Sequence, residues 1–174
     1  MSNLDLSNPD FSKLPSCGDF DFRIARDGTW FYRGSPIGRK PLVRLFSTVL
    51  RREDDGSFWL VTPVERGRIT VDDAPFVAVE MEVRGSGQEQ HLAFRTNVEE
   101  WVTADAAHPI RVDLGADGAP SPYIRVRGAL DALISRPVFY QLVDLAETRA
   151  DGGRSELGIW SAGTYFPLGF AEAA

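Results

Sequence analysis

The sequence predicts an α+β protein of two related β-rich halves, each a hairpin–helix–hairpin repeat with one packed helix, forming a shared or adjacent sheet. Three observations carry the prediction. Asp27-Gly28 and Asp55-Gly56 are tight-turn pairs, because Asp and Gly tolerate the positive φ that such turns need. Between them Leu42, Leu45, Phe46, Val49 and Leu50 recur at the spacing of one helical stripe, opening at Lys40-Pro41. A looser copy of the same succession recurs towards the C-terminus, around Asp117-Gly118 and Pro137.

Residues 1–18 are polar and turn-rich, which predicts an N-terminal arm ending near Cys17. The first unit spans 19–75. Phe20, Phe22 and Ile24 alternate with Asp19, Asp21 and Arg23, the mark of a half-buried strand. Asp27-Gly28 turns it into a second strand through Trp30, Phe31 and Tyr32, and Gly34, Pro36 and Gly38 then break the pattern. Pro41 suits a first helical turn, where its missing N–H costs nothing. Arg51-Arg52 suits the negative end of the helix dipole. The apolar run Phe58 to Val64 predicts a buried strand that Pro63 ends, and a short strand follows around Ile69 and Val71.

Residues 76–109 predict a central hairpin and a connection. Val77, Val79, Met81 and Val83 alternate with Ala78, Glu80, Glu82 and Arg84, then Gly85-Ser86-Gly87 leads to a partner with Leu92 and Phe94 inward. Residues 97–109 read equally as a short helix capped by Asn97 or as extended chain. The second unit spans 110–174: strand alternation at Ile110, Val112 and Leu114, a strand from Tyr123 to Val126, and a helix from Pro137. A final aromatic hairpin over 157–166 should turn at Ala162-Gly163. Setting Pro41 on Pro137 matches Phe46 to Leu142 and Val49 to Leu145, the alignment on which an internal duplication is inferred.

Composition limits the function. The 174 residues are 43% hydrophobic and 25% charged, as in ordinary folded proteins. No stretch approaches the ~20 apolar residues needed to span a bilayer, and Met-Ser-Asn-Leu-Asp-Leu has neither the basic start nor the apolar core of a signal peptide. With one cysteine an internal disulfide is impossible, and these features together predict the cytoplasm. A formal charge of −6 argues against nucleic-acid partners, whose binding needs a basic surface. Lysine occurs only at positions 13 and 40, so the positive charge is almost all guanidinium, which suits carboxylate and phosphate recognition. A GC-rich genome explains the same bias without any function.

Gly34-Ser35-Pro36-Ile37-Gly38-Arg39, Leu60-Val61-Thr62-Pro63-Val64-Glu65 and Asp73-Ala74-Pro75-Phe76-Val77 resemble motifs of an uncharacterised bacterial family, domain of unknown function 1285. Phe94-Arg95-Thr96-Asn97, His108-Pro109, Arg136-Pro137-Val138-Phe139-Tyr140 and Leu157-Gly158-Ile159-Trp160-Ser161-Ala162-Gly163 look like its later motifs. The resemblance covers residues 19–169. It implies an α/β-containing fold with repeated motifs and a suggested part in signal transduction or ligand binding, with no assigned reaction or catalytic residue.

The sequence offers little for catalysis. His91 and His108 are its two histidines, and neither lies beside a Gly-x-Ser-x-Gly elbow. No His-x-x-x-His pair, phosphate loop or dinucleotide motif is present, so no metal or cofactor is expected. The acidic clusters Glu53-Asp54-Asp55, Asp72-Asp73 and Glu99-Glu100 read as solvated charge. What remains is a set of polar residues near strand ends. The candidate ligand-binding residues are Arg95, Asn97, His108, Tyr123, Arg125 and Arg127, which together would hold a carboxylate or phosphate. The plainer reading pairs the arginines with Glu80 and Glu82 across the sheet. The sequence thus predicts a non-catalytic regulatory or signal-transduction module that binds a small anionic ligand or a protein partner. The rival is a hydrolase-like enzyme using His108 and a nearby carboxylate.

Overall fold

The structure, a computed structural model, describes residues 16–171. The chain divides into two compact units, residues 1–73 and 74–174. Most of the expected N-terminal arm lies outside the described residues.

In the first unit, β1 (Ser16–Ile24), β2 (Trp30–Tyr32) and β3 (Ser35–Pro36) form an antiparallel meander. The helix α1 (Lys40–Thr48) follows, then a second meander of β4 (Leu50–Arg52), β5 (Phe58–Val61) and β6 (Arg66–Val71). The two meanders meet where β1 runs parallel to β6, giving the order β3-β2-β1-β6-β5-β4. Both Asp-Gly turns form as the sequence predicts: Gly28 and Gly56 take φ of 91° and 87°. Asp27 Oδ1 and Asp55 Oδ1 each accept the N–H two residues on, at 2.9 Å.

The helix is shorter than its apolar stripe. It ends at Thr48, so Leu50 to Arg52 is strand, and Arg51-Arg52 does not sit at a helix terminus. Ser47 and Thr48 donate their hydroxyls to the carbonyls of Arg44 and Leu45, both at 2.6 Å, a side-chain alternative that weakens helix continuation. Leu50 is then fully buried opposite Leu60 in the sheet, whereas Leu45, expected in the buried stripe, is 61% exposed.

In the second unit, β7 (Phe76–Arg84), β8 (His91–Thr96) and β9 (Trp101–Thr103) form one meander. Here β9 settles the ambiguous stretch after Asn97 as extended chain. The strands β10 (Ile110–Leu114), β11 (Pro120–Arg127) and β12 (Leu130–Ile134) form the other. Again the first and last strands, β7 and β12, run parallel, giving β10-β11-β12-β7-β8-β9. A bulge between Ala78 and Glu80 puts Phe76 and Ala78 in the core and leaves Val79 exposed, against the simple alternation predicted for that strand.

The two sheets therefore share one topology: two meanders joined by a parallel pair of their outermost strands in sequence. The duplication is real at the level of the sheet, but the alignment of Pro41 on Pro137 is not its register. The helix α1 lies between the third and fourth strands of its sheet. Helix α2 (Arg136–Leu145) instead follows the sixth strand of the second sheet and leads to a separate sheet of β13 (Glu147–Asp151), β14 (Arg154–Ser161) and β15 (Thr164–Ala171). The last hairpin turns at Ala162-Gly163 as predicted, both with positive φ.

Each unit has its own apolar interior. Ile24, Trp30, Leu50, Leu60 and Ile69 are buried in the first; Phe76, Leu92, Phe94, Ile124, Ile134, Leu142 and Ile159 in the second. The helix α2 inserts Val138 and Leu142 fully, whereas α1 buries only Ser47. That difference leaves room beneath α1. No helix among the described residues is long and apolar enough to cross a membrane.

Candidate functional site

The apolar side of α1 and the sheet beneath it flank an open hollow of about 500 Å³. Its floor is Phe20, Phe22, Tyr32 and Leu60, its roof Leu42, Phe46 and Val49, with Ile37 at the side. The strands supply alternate residues to one face, and the helix supplies residues three or four apart, so the lining follows directly from the two periodicities. Phe46 stacks with Trp30 at 6.2 Å between ring centroids and meets Phe22 edge-on at 5.0 Å. Tyr32 lies 4.9 Å from Phe22. The polar residues on this lining are Thr62 and Glu65, held together because Thr62 Oγ1 donates to the Glu65 carbonyl at 3.0 Å. One ring away, the buried indole N–H of Trp30 has no acceptor among the described residues, an incompletely satisfied polar group of the kind native interiors mostly avoid.

The residues singled out in the sequence are placed differently. Arg95 Nε donates to Glu80 Oε2 at 2.8 Å, the cross-strand pairing anticipated for the plainer reading. Arg125 Nε donates to Asp131 Oδ1 at 2.6 Å, and Arg111 holds the other oxygen of that carboxylate. Asp131 is 4% exposed, so both guanidiniums are committed to a buried charge. Burial opposes the Arg111 charge, but its bonds to Asp131 outweigh this and hold the guanidinium more basic than usual. Arg127 Nε lies 3.4 Å from Glu100 Oε1 and its guanidinium sits over the Phe76 ring. Tyr123 is buried with the Arg111 guanidinium 4.5 Å above its ring. Asn97 is a backbone bracket: its Oδ1 accepts the Val77 N–H at 3.0 Å and its own N–H donates to the Val77 carbonyl.

His108 does lie within reach of an acid. Its Nδ1 is 2.9 Å from Asp105 Oδ1, which also accepts the N–H groups of Ala107 and His108. Burial works to raise the Asp105 carboxyl, but the His108 ring and these N–H groups outweigh it and keep the acid stronger than usual. The pair closes a turn between β9 and β10 and does not border the hollow under α1. Among the described residues no group of three or more His, Cys, Asp or Glu is placed to hold a metal.

Sequence reasoning missed the hollow because its existence depends on how little of α1 is buried, a tertiary fact. The one available signal was the short interval between Pro41 and the Ser47-Thr48 pair, which limits the helix to about two turns.

A two-unit α+β protein, with one sheet topology used twice and a separate C-terminal sheet, is the class that this architecture defines. The chain belongs to the DUF1285 family: the domain of unknown function described as DUF1285, N-terminal domain, matches residues 9–74, and the C-terminal domain matches residues 75–168. A DUF1285 family protein from Silicibacter pomeroyi DSS-3 has a crystal structure with 52% identity to this chain and a TM-score of 0.85. The match covers 91% of this chain and 85% of that one. A second, from Shewanella baltica OS155, is 28% identical with a TM-score of 0.56, over 71% of this chain and 91% of that one. No curated protein matches the chain.

Proposed function

We propose that this protein is a non-catalytic, cytoplasmic binding module with a regulatory role, whose N-terminal unit takes a small amphiphile in the hollow under α1. The observation that carries the reading is the lining: eight apolar or aromatic side chains around about 500 Å³, with Thr62 and Glu65 together on the polar side. That volume lies in the range of small-molecule sites, about 300–1,000 Å³, and few convergent polar groups amid apolar walls is their usual composition. Glu65 favours a cationic or hydrogen-bond-donating head and disfavours an anion. An anion at Arg95, Arg125 or Arg127 would have to displace Glu80, Asp131 or Glu100 from an existing ion pair. Binding is preferred to hydrolysis because the His108–Asp105 pair is used within its own turn.

The test is native mass spectrometry of the chain as purified, followed by calorimetric titration with a medium-chain alkylamine. Saturable binding that Val49→Trp abolishes, with thermal unfolding unchanged, is the expected result. Binding unaffected by Val49→Trp, or no binding of the amine together with a clean unliganded mass, would overturn the assignment of the hollow.

A further inference from the structure

We infer that the outer face of β7, β8 and β9 in the C-terminal unit is a separate site for a neutral saccharide. The strand registers set the face out in rows: Glu80, Arg95 and Trp101; then Glu82, Ala93 and Thr103; then Arg84 opposite His91. A trough of about 530 Å³ runs over these rows, lined by Glu82, Arg84, His91, Ala93, Trp101 and Thr103. Ala93 is the small residue at the centre, and the larger side chains rise around it.

Trp101 is 45% exposed, although Val102 beside it is buried and Ala104 N–H is bonded to the Leu92 carbonyl. The indole is thus held on an anchored strand with its surface open to solvent, an arrangement that sacrifices much of the apolar burial a tryptophan offers. A flat indole face stacks well on the C–H face of a pyranose, whose hydroxyls point outward in the plane of the sugar. Around it stand an acceptor in Glu82, donors in Arg84, and groups of both kinds in His91 and Thr103. A mixed set suits hydroxyls, which donate and accept. Glu82 disfavours phosphates and carboxylates, and Arg84 disfavours cations, so a neutral ligand is the best match.

A second observation separates this face from ordinary solvated charge. Of the five arginines in this sheet, Arg95, Arg111, Arg125 and Arg127 each face a carboxylate. Among the described residues Arg84 has no such partner, and no hydrogen bond engages the side chains of Glu82, His91 or Thr103. These four polar side chains all lie on the trough.

The experiment is an amide and indole NMR titration of the full chain with neutral trisaccharides: maltotriose, cellotriose, xylotriose and chitotriose. At least one should give saturable shifts at the Trp101 indole and at the Ala93 and Thr103 amides. Trp101→Ala and Glu82→Gln should each weaken that binding about tenfold or more, equal to about 1.4 kcal/mol, and Trp101→Phe should restore part of it, all with unfolding temperatures kept. Absence of saturable shifts with every trisaccharide overturns the inference. So does binding that Trp101→Ala leaves intact, or shifts that map away from β7–β9.

Discussion

Ser161 Oγ accepts the Leu92 N–H at 3.0 Å while donating its own proton to the Ala104 carbonyl at 2.7 Å. One hydroxyl thereby joins the β14–β15 hairpin to β8 and to the residue after β9, in a place where Ser161 is fully buried. Gln90 adds a second tie, its Nε2 donating to the Trp160 carbonyl at 2.9 Å. Ser161→Ala would leave a buried N–H and a buried C=O each short of a partner, and should destabilise by about 1–3 kcal/mol. Urea unfolding checks the magnitude, and faster exchange of the Leu92 amide checks the mechanism.

Gly67 and Phe20 exclude one another's growth. A Cβ on residue 67 would stand 2.2 Å from the Phe20 ring, so Gly67→Ala must drive that ring aside, and the ring's open side is the hollow under α1. The substitution should cost about 1–3 kcal/mol, the usual range for overpacking. It should also weaken the alkylamine binding proposed above. Adding Phe20→Ala should recover the clash portion of the loss, measurable as a non-additive double-mutant cycle.

Asp131 should matter more than either arginine that holds it. Removing the carboxylate leaves Arg111 and Arg125, each partly exposed and able to reach water. Removing one arginine leaves the acid with the other. Asp131→Ala is expected to cost about 2–3 kcal/mol, below the full range for a buried pair because the guanidiniums are not themselves buried. Arg111→Ala should cost less. Equal effects in chemical denaturation would contradict the arrangement.

The two helices should respond unequally to truncation. Leu142→Ala, at a site with no exposure, should cost about 2–5 kcal/mol. Phe46→Ala, on the edge of a hollow, should fall below it, and Leu45→Ala should stay within about 0.5 kcal/mol. Thermal unfolding of the three variants tests the ranking.

Acid should loosen the N-terminal unit. The Arg23 guanidinium, with Nε 3.0 Å from Asp72 Oδ1, holds that carboxyl below its ordinary 3.8. The Thr29 and Ser57 donors do the same for Asp27 and Asp55. A carboxyl that is more acidic in the folded chain contributes in full above its unfolded pKa, and that contribution disappears as pH falls through the folded one. Stability should therefore hold down to about pH 5 and decline below 4. Asp72→Asn should flatten part of that decline in a series of melts against pH.

What the sequence disclosed was local. Asp27-Gly28, Asp55-Gly56 and Ala162-Gly163 turn where predicted because turn chemistry is contained within a few residues. The hidden strands each had a physical disguise. β4 continues the helical stripe through Val49 and Leu50. β12 is a short apolar run directly before a helix. β13, Glu-Thr-Arg-Ala-Asp, is an edge strand with no apolar face. The arginine faces were correctly placed on β8 and β11, but Asp131 and Glu100 became their partners only through strand registers that no single segment encodes. For the same reason the trough stayed out of sight: Trp101 meets Arg95, and His91 meets Arg84, only once β9 and β7 have been set on either side of β8.

The parallel pairing of β1 with β6, and of β7 with β12, has a consequence for how the chain comes to be folded. In each sheet the strands that join the two meanders are the earliest and latest made, so the central contact closes a loop containing the rest of that sheet. Such closure is slow relative to hairpin formation, since its entropic cost comes before its reward. During synthesis the meander β1–β3 must wait, with its parallel edge open, until β6 has left the ribosome. The same delay recurs for β7 and β12. Each half therefore passes through a period with an unpaired strand edge exposed, and those intervals are when the chain is most vulnerable to pairing with a neighbour.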